Sequence, residues 1–143
     1  MMRLILDTDV IVAAMRSPRG ASAALLEDAL DRRITLLVSV PLFFEYRAKC
    51  SEPGHWTAAG LTKEGAEVFI NGIAALVEPV ETHFLWRPML RDPDDEMVLE
   101  VAVNGSADAI VTFNLRDYGN VPSVTFGIEV LLASTAIRRI RDE

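Results

Sequence analysis

The sequence predicts an α/β fold: three layers, α/β/α, around a central, mostly parallel sheet of four to five strands. Three observations carry this expectation. Short apolar runs of strand length recur along the chain, beginning with Arg3-Leu4-Ile5-Leu6, and a near-continuous hydrophobic run is what a strand buried on both faces requires. Segments with helical spacing and capping residues lie between these runs, so strands alternate with helices, which implies βαβ units and helices on both sheet faces. The chain has 143 residues, 50% of them hydrophobic, with no repeat, low-complexity stretch or linker, so residues 1–143 read as one domain with a substantial core.

Taken in order, the first strand ends at Asp7, and Val10 to Arg16 reads as a short helix stopped by Ser17-Pro18-Arg19-Gly20. A second helix is expected over Ala21 to Asp31, with Ala24, Leu25 and Leu30 toward the core. Ile34 to Val38 is the next strand. Ser39 can cap a helix over Pro41 to Lys49, with Pro41 suited to its first turn. Ser51 to His55 reads as a loop, and Thr62 as the cap of a helix reaching Leu76, whose apolar side is Phe69, Ile70, Ile73 and Ala74. Val77-Glu78-Pro79-Val80 is a weak strand, its proline pointing to a sheet edge or a strand end. Asp92-Pro93-Asp94-Asp95-Glu96 opens a helix to Asn104, where Gly105 ends it. Ala107 to Thr112 is a strand, Asn114 to Asn120 a polar loop, Ser123 to Phe126 a last strand, and Ile128 to Arg141 a terminal helix.

Composition narrows the function classes. The one cysteine, Cys50, excludes an internal disulfide and a thiolate zinc cage. No secretory signal is evident and no apolar run reaches the ~20 residues of a membrane span, so a soluble, cytoplasmic protein is expected. The formal net charge of -7 and pI near 4.8 argue against a broad electrostatic grip on nucleic acid while allowing a local one. Acidity also suits a protein that keeps a basic partner. The basic residues are nearly all arginine, in part grouped as Arg16/Arg19, Arg32/Arg33 and Arg138/Arg139/Arg141; such groups serve phosphate binding or a solvated helix face.

The acids are more informative. Asp7 closes the first strand, and in open α/β sheets ligands sit beyond the carboxyl ends of strands. In the helix opened at Asp92, the stripe Val98, Leu99 and Ala102 must face the sheet. Asp95 stands three and four residues before Val98 and Leu99 and shares their face, while Asp94 and Glu96 rotate toward solvent. Helix capping and the helix dipole account for Asp94, but an inward Asp95 loses hydration and needs compensation. Glu45 shares a face with Pro41, Leu42 and Ala48; its plain role is as an i,i+4 partner of Lys49. Asn114 and Asp117 follow another strand end, where they also suit an ordinary turn. Together, carboxylates converging without Lys or His raise each other's pKa. A hard divalent cation relieves that repulsion, and oxygen-only ligands suit Mg²⁺ or Mn²⁺, an ion suited to phosphodiester hydrolysis.

Leu4-Ile5-Leu6-Asp7-Thr8, Glu45 after Pro41, Asp95 opening a helix that continues to Ala102, and Ala107 to Thr112 followed by Asn114 and Asp117 resemble, as an ordered set from about Arg3 to Leu132, the PIN domain. The likeness is to the branch of toxin components of toxin–antitoxin systems. It implies a Mg²⁺- or Mn²⁺-dependent endoribonuclease acting on RNA, a homodimer, and an antitoxin protein as partner. Carried over by position, Asp7, Glu45 and Asp95 match the core acids and Asp117 a further acid; Thr112 would orient the loop or a phosphate, and Arg116 joins the auxiliary residues. Two departures stand out: Asn114 occupies a position where many PIN domains carry a carboxylate, and Asp9 one where a small neutral polar residue is usual.

Other readings remain open at this level. Asp7-Thr8-Asp9-Val10 also fits the opening of haloacid dehalogenase-like phosphatases, with Asp7 as covalent nucleophile, but that chemistry wants a lysine, and neither Lys49 nor Lys63 follows a strand in the expected context. A PIN-like module that binds RNA or protein without activity is the non-enzymatic alternative. No dinucleotide loop, Ser-His-Asp or Cys-His set is present. His55 and His83 read as surface loop residues; Trp56 and Trp86 suit either base stacking or packing.

Overall fold

The computed structural model describes residues 1–83, 89–90 and 92–142. Its elements are β1 (Met2–Leu6), α1 (Thr8–Arg16), α2 (Ala21–Leu30), β2 (Ile34–Val38), α3 (Val40–Cys50), α4 (Pro53–Ala58), α5 (Lys63–Leu76) and β3 (Val77–Pro79), then α6 (Pro93–Asn104), β4 (Ala109–Val111), α7 (Leu115–Tyr118), α8 (Val121–Phe126), β5 (Glu129–Leu131) and α9 (Ala133–Arg141). The five strands form one sheet in the order β3-β2-β1-β4-β5, every pairing parallel, with helices flanking it as the alternation of elements predicts.

The first strand sits at the centre of the sheet, between β2 and β4. Leu4, Ile5 and Leu6 are fully buried, and Leu36, Leu37, Val38, Ala109, Ile110 and Val111 continue the core on either side. From β1 the chain moves outward to β2 and β3, then crosses back to lay β4 on the other flank of β1. The strand order therefore reverses between β1 and β4, and a crevice opens beyond their carboxyl ends. Asp7 N–H donates to Val111 O at 2.9 Å, carrying the ladder one step further.

Local chemistry explains most element ends. Ser39 accepts from Leu42 N and Thr62 from Gly65 N, as N-caps do. The proline-bearing β3 lies at the sheet edge, as expected. Gly105 ends α6, although not through a left-handed turn, since its φ is -91°. A Cβ there would meet Leu37 Cδ1 at 2.9 Å and Val80 Cγ2 at 3.0 Å; glycine is needed for close approach of the helix end to the sheet. Arg3 fastens the same corner, donating to Gly105 O and Glu78.

Several expectations require correction. Ser123 to Phe126 is helical: Pro122 supports the first turn of α8 and Gly127, at φ 68°, closes it. The last strand is instead Glu129–Leu131, inside the stretch expected to begin the terminal helix, so α9 starts at Ala133. The segment after β4 is not all loop, since α7 forms there and buries Tyr118 completely. Pro53 starts a short helix within the expected loop before Trp56. Leu30 is 67% exposed and Ala74 is exposed, whereas Ala23, Leu25 and Ala29 carry the buried face of α2.

Candidate active site

At the end of β1, Asp7 is also the N-cap of α1. Its Oδ1 accepts from Thr8 N at 2.8 Å, while Oδ2 accepts from Thr112 Oγ1 and Tyr118 OH, each at 3.0 Å. A carboxylate offers about four lone-pair directions, so three are already used. Thr112 is completely buried at the end of β4, and its oxygen also accepts from Asn114 N at 3.0 Å, which fixes the loop that follows.

Two residues on, in the first turn of α1, Asp9 faces the same loop. Its Oδ2 accepts from Phe113 N at 3.1 Å and Asn114 Nδ2 at 3.2 Å, while Oδ1 is buried without a partner. Asn114 thus serves as a donor that ties Asp9 to the end of β4. Asp95 points inward at 8% exposure from the first turn of α6, and Asp94 is exposed, as helical geometry requires. Glu96, expected to face solvent, is half-buried and accepts from the backbone of Met89 and Leu90. Asp92 caps the helix through Asp94 N at 2.9 Å.

These groups line one cleft of about 410 Å³, which gathers Asp7, Asp9, Glu45, Asp95, Asn114 and Asp117, with Asp92 and Asp94 at its side. Every acid assigned from the sequence is therefore on it. Glu45 is half-buried in the second turn of α3. Its expected partner Lys49 pairs with Glu52 at 3.5 Å instead, although Lys49 also lines the cleft. Arg116 does not line it; Arg116 borders an adjoining hollow of about 550 Å³ that shares Asp92, Asp95 and Asp117.

The electrostatics are those of acids pressed together. Burial, followed by the charge of Asp7, pushes Asp9 up to about 6. Asp95 also rises to about 6, chiefly by burial and then through Asp7, Asp92 and Asp117. Asp7 is raised by burial, against the lowering effect of its Thr112, Tyr118 and Thr8 hydrogen bonds. An all-oxygen donor set with an orphaned buried oxygen, Asp9 Oδ1, fits a hard divalent cation. Among the described residues no three His, Cys, Asp or Glu side chains are gathered tightly enough to ligate one ion as they stand; the acids share a cleft, and Asp7 is turned to hydroxyl donors.

Sequence reasoning missed two tyrosines. Tyr118 carries the hydroxyl on Asp7, and fully buried Tyr46 donates its OH to Leu6 O at the end of β1. Burial beside Asp7 drives both phenols well above their ordinary range, so both remain donors. No local signal marked Tyr118, since the aromatic Phe113 in the same stretch is 50% exposed. His55 is on α4 and lines the cleft, contrary to expectation, whereas His83 is an exposed loop residue bonded to Asn104. Trp56 packs against the core edge, its indole N–H on Ser51 O at 3.3 Å. Trp86 lies outside the described residues.

Known proteins point the same way. No curated protein matches the chain. Among solved structures, that of VapBC2 from Rickettsia felis bound to a DNA fragment from their promoter holds a chain that superposes with a TM-score of 0.63 at 16% identity, over 91% of this chain and 98% of that one, a likeness of fold. A family model described as PIN domain matches residues 3–116, from the opening strand through the loop that carries Asn114. By that match, and with its acids at the mouth of the sheet, the chain belongs to the PIN domain family.

Proposed function

We propose that this protein is a divalent-metal-dependent endoribonuclease, hydrolysing RNA phosphodiester bonds with water as nucleophile. The observation that supports it best is the meeting of Asp7, Glu45, Asp95 and Asp117, from four separate segments, on one cleft at the switch point of a PIN domain. In this reading those four carboxylates hold Mg²⁺ or Mn²⁺, with Asp9 as an auxiliary donor through its free Oδ1. When bound, such an ion lowers the pKa of water and offsets charge on the leaving oxygen.

The chain's own residues prepare the site. Tyr118 and Thr112 hold Asp7 in one orientation. Asn114 anchors Asp9, and Arg116 stands at the rim to meet a flanking phosphate. Water adds to phosphorus, the bond to the leaving oxygen breaks, and the proton released by water balances the charge on that oxygen. A phosphatase mechanism with Asp7 as attacking nucleophile fits less well, because both of its oxygens are engaged by donors.

The acidic cleft and the fold shared with a chain of VapBC2 support the further reading of a cytoplasmic toxin, homodimeric, held by a basic antitoxin. The decisive experiment is Asp95→Asn assayed for Mn²⁺-dependent RNA cleavage beside circular dichroism. Loss of cleavage with an unchanged fold is expected, and undiminished cleavage overturns the ligand assignment. Wild-type protein tested on RNA and on a generic phosphatase substrate, with and without EDTA, separates nuclease, phosphatase and inert binding module.

A further inference from the structure

One wall of the cleft has a different character from the rest. It is built from the end of α3 and from α4, and there the acidic lining is interrupted by Lys49 and His55. Glu52, the N-cap of α4, lies between them: Lys49 Nζ is 3.5 Å from one of its carboxylate oxygens and His55 Nε2 is 3.3 Å from the other. The remaining ring nitrogen, His55 Nδ1, is buried and has no hydrogen-bond partner. Two nitrogen groups thus grip a two-oxygen anion at the edge of a cleft whose floor is carboxylate.

We infer that Lys49 and His55 form the phosphate-holding wall of this site, taking a backbone phosphate of single-stranded RNA next to the one cleaved. This rests on the nuclease reading above. A polyanion entering an acidic cleft gains from a cationic contact beside the metal-binding floor, and Lys49 is one of only two lysines in the chain. Glu52 holds both side chains in place at the cleft wall. Lys49 lies one helical turn beyond Glu45 on α3, so the floor and the wall are held by the same rigid element. The contact is to the backbone, and it strengthens binding without choosing a base.

The test measures binding of a fluorescein-labelled single-stranded RNA by anisotropy, over a range of salt, in the Asp95→Asn background so that RNA stays intact. Loss of one phosphate contact on a single strand lowers the slope of log affinity against log salt by about 0.7. Lys49→Gln is expected to show that fall, with weaker binding on every RNA sequence tried, and Lys49→Arg to restore it. Lys63→Gln, the same charge change away from the cleft, is expected to leave the slope alone. In the cleaving protein, Lys49→Gln should raise KM several-fold with kcat little changed. Equal slopes for Lys49→Gln and Lys63→Gln overturn the inference while leaving the nuclease reading intact. A wild type that neither cleaves nor binds RNA overturns both.

Discussion

At the scale of single residues, the buried hydroxyls beside Asp7 matter more than their number indicates. Tyr118→Phe removes one hydrogen bond to a buried carboxylate, and such bonds to charged groups are worth about 1.5–3 kcal/mol. Urea unfolding at pH 8 should show a loss of that order, and a smaller one at pH 4, where Asp7 is increasingly protonated and needs the donor less. Equal losses at both pH values would mean the hydroxyl serves packing alone. Asp9 leads to the opposite expectation. Its carboxyl rises from 3.8 to about 6 on folding, so the folded protein binds the proton more tightly than the unfolded chain does. The stability this contributes is complete below about 4 and lost as the pH rises through about 6. Asp9→Asn should therefore melt higher than the parent at pH 8 in EDTA, and hold Mn²⁺ more weakly by calorimetric titration.

Asp7 and Asp95 could be placed from the sequence because a strand end and helix periodicity locate a side chain: Asp95 shares a face with Val98 and Leu99 whatever lies opposite, whereas Glu45 and Asp117 rest on the family resemblance. Tyr118 and Tyr46 could not, because their roles depend on which distant backbone and carboxyl groups fold against them. Tyr46 meets Leu6, and Tyr118 meets Asp7, across the whole fold.

At the scale of elements, the errors cluster after β4, and they share a cause. Ser123-Val124-Thr125-Phe126 has the β-branched and aromatic content of a strand, yet Pro122 and Gly127 bound a single pair of helical turns, and Val124 is 75% exposed. The true strand, Glu129–Leu131, is only three residues long and draws its stability from pairing with β4, a partner that local propensity does not register. By contrast β1, β2 and α6 were legible because burial on both faces, or a capped amphipathic stripe, writes itself into the sequence. Gly105 supplies a test at this scale. Gly105→Ala forces a methyl into Leu37 and Val80, and overpacking of this kind costs about 1–3 kcal/mol. Thermal melts should show that loss; a neutral substitution would mean that α6 can slide away from β2 freely.

At the scale of the whole molecule, the cleft collects negative charge in a protein that already carries a formal charge of -7. Raised carboxyls at Asp9 and Asp95 make the protein in EDTA lose stability as the pH climbs from about 4 to above 6, by the same sign as for Asp9 alone. Added Mn²⁺, binding the folded state, should raise the melting temperature with a concentration dependence set by its affinity, and the gain should be larger at pH 8 than at pH 5. Scanning calorimetry with and without EDTA measures both; a melting temperature indifferent to Mn²⁺ at pH 8 counts against any metal site in the cleft.

The strand order has one more consequence, for the protein's birth. β1 is made well before its neighbour β4 and the tyrosine that steadies Asp7, which arrive more than a hundred positions later, Tyr118 standing 111 residues from Asp7. Until then a growing chain exposes Asp7, Asp9 and Glu45 with nothing to set them against, and closing so long a loop is slow. A nuclease acting as proposed would thus stay harmless in the growing chain until β4 and Tyr118 had been made.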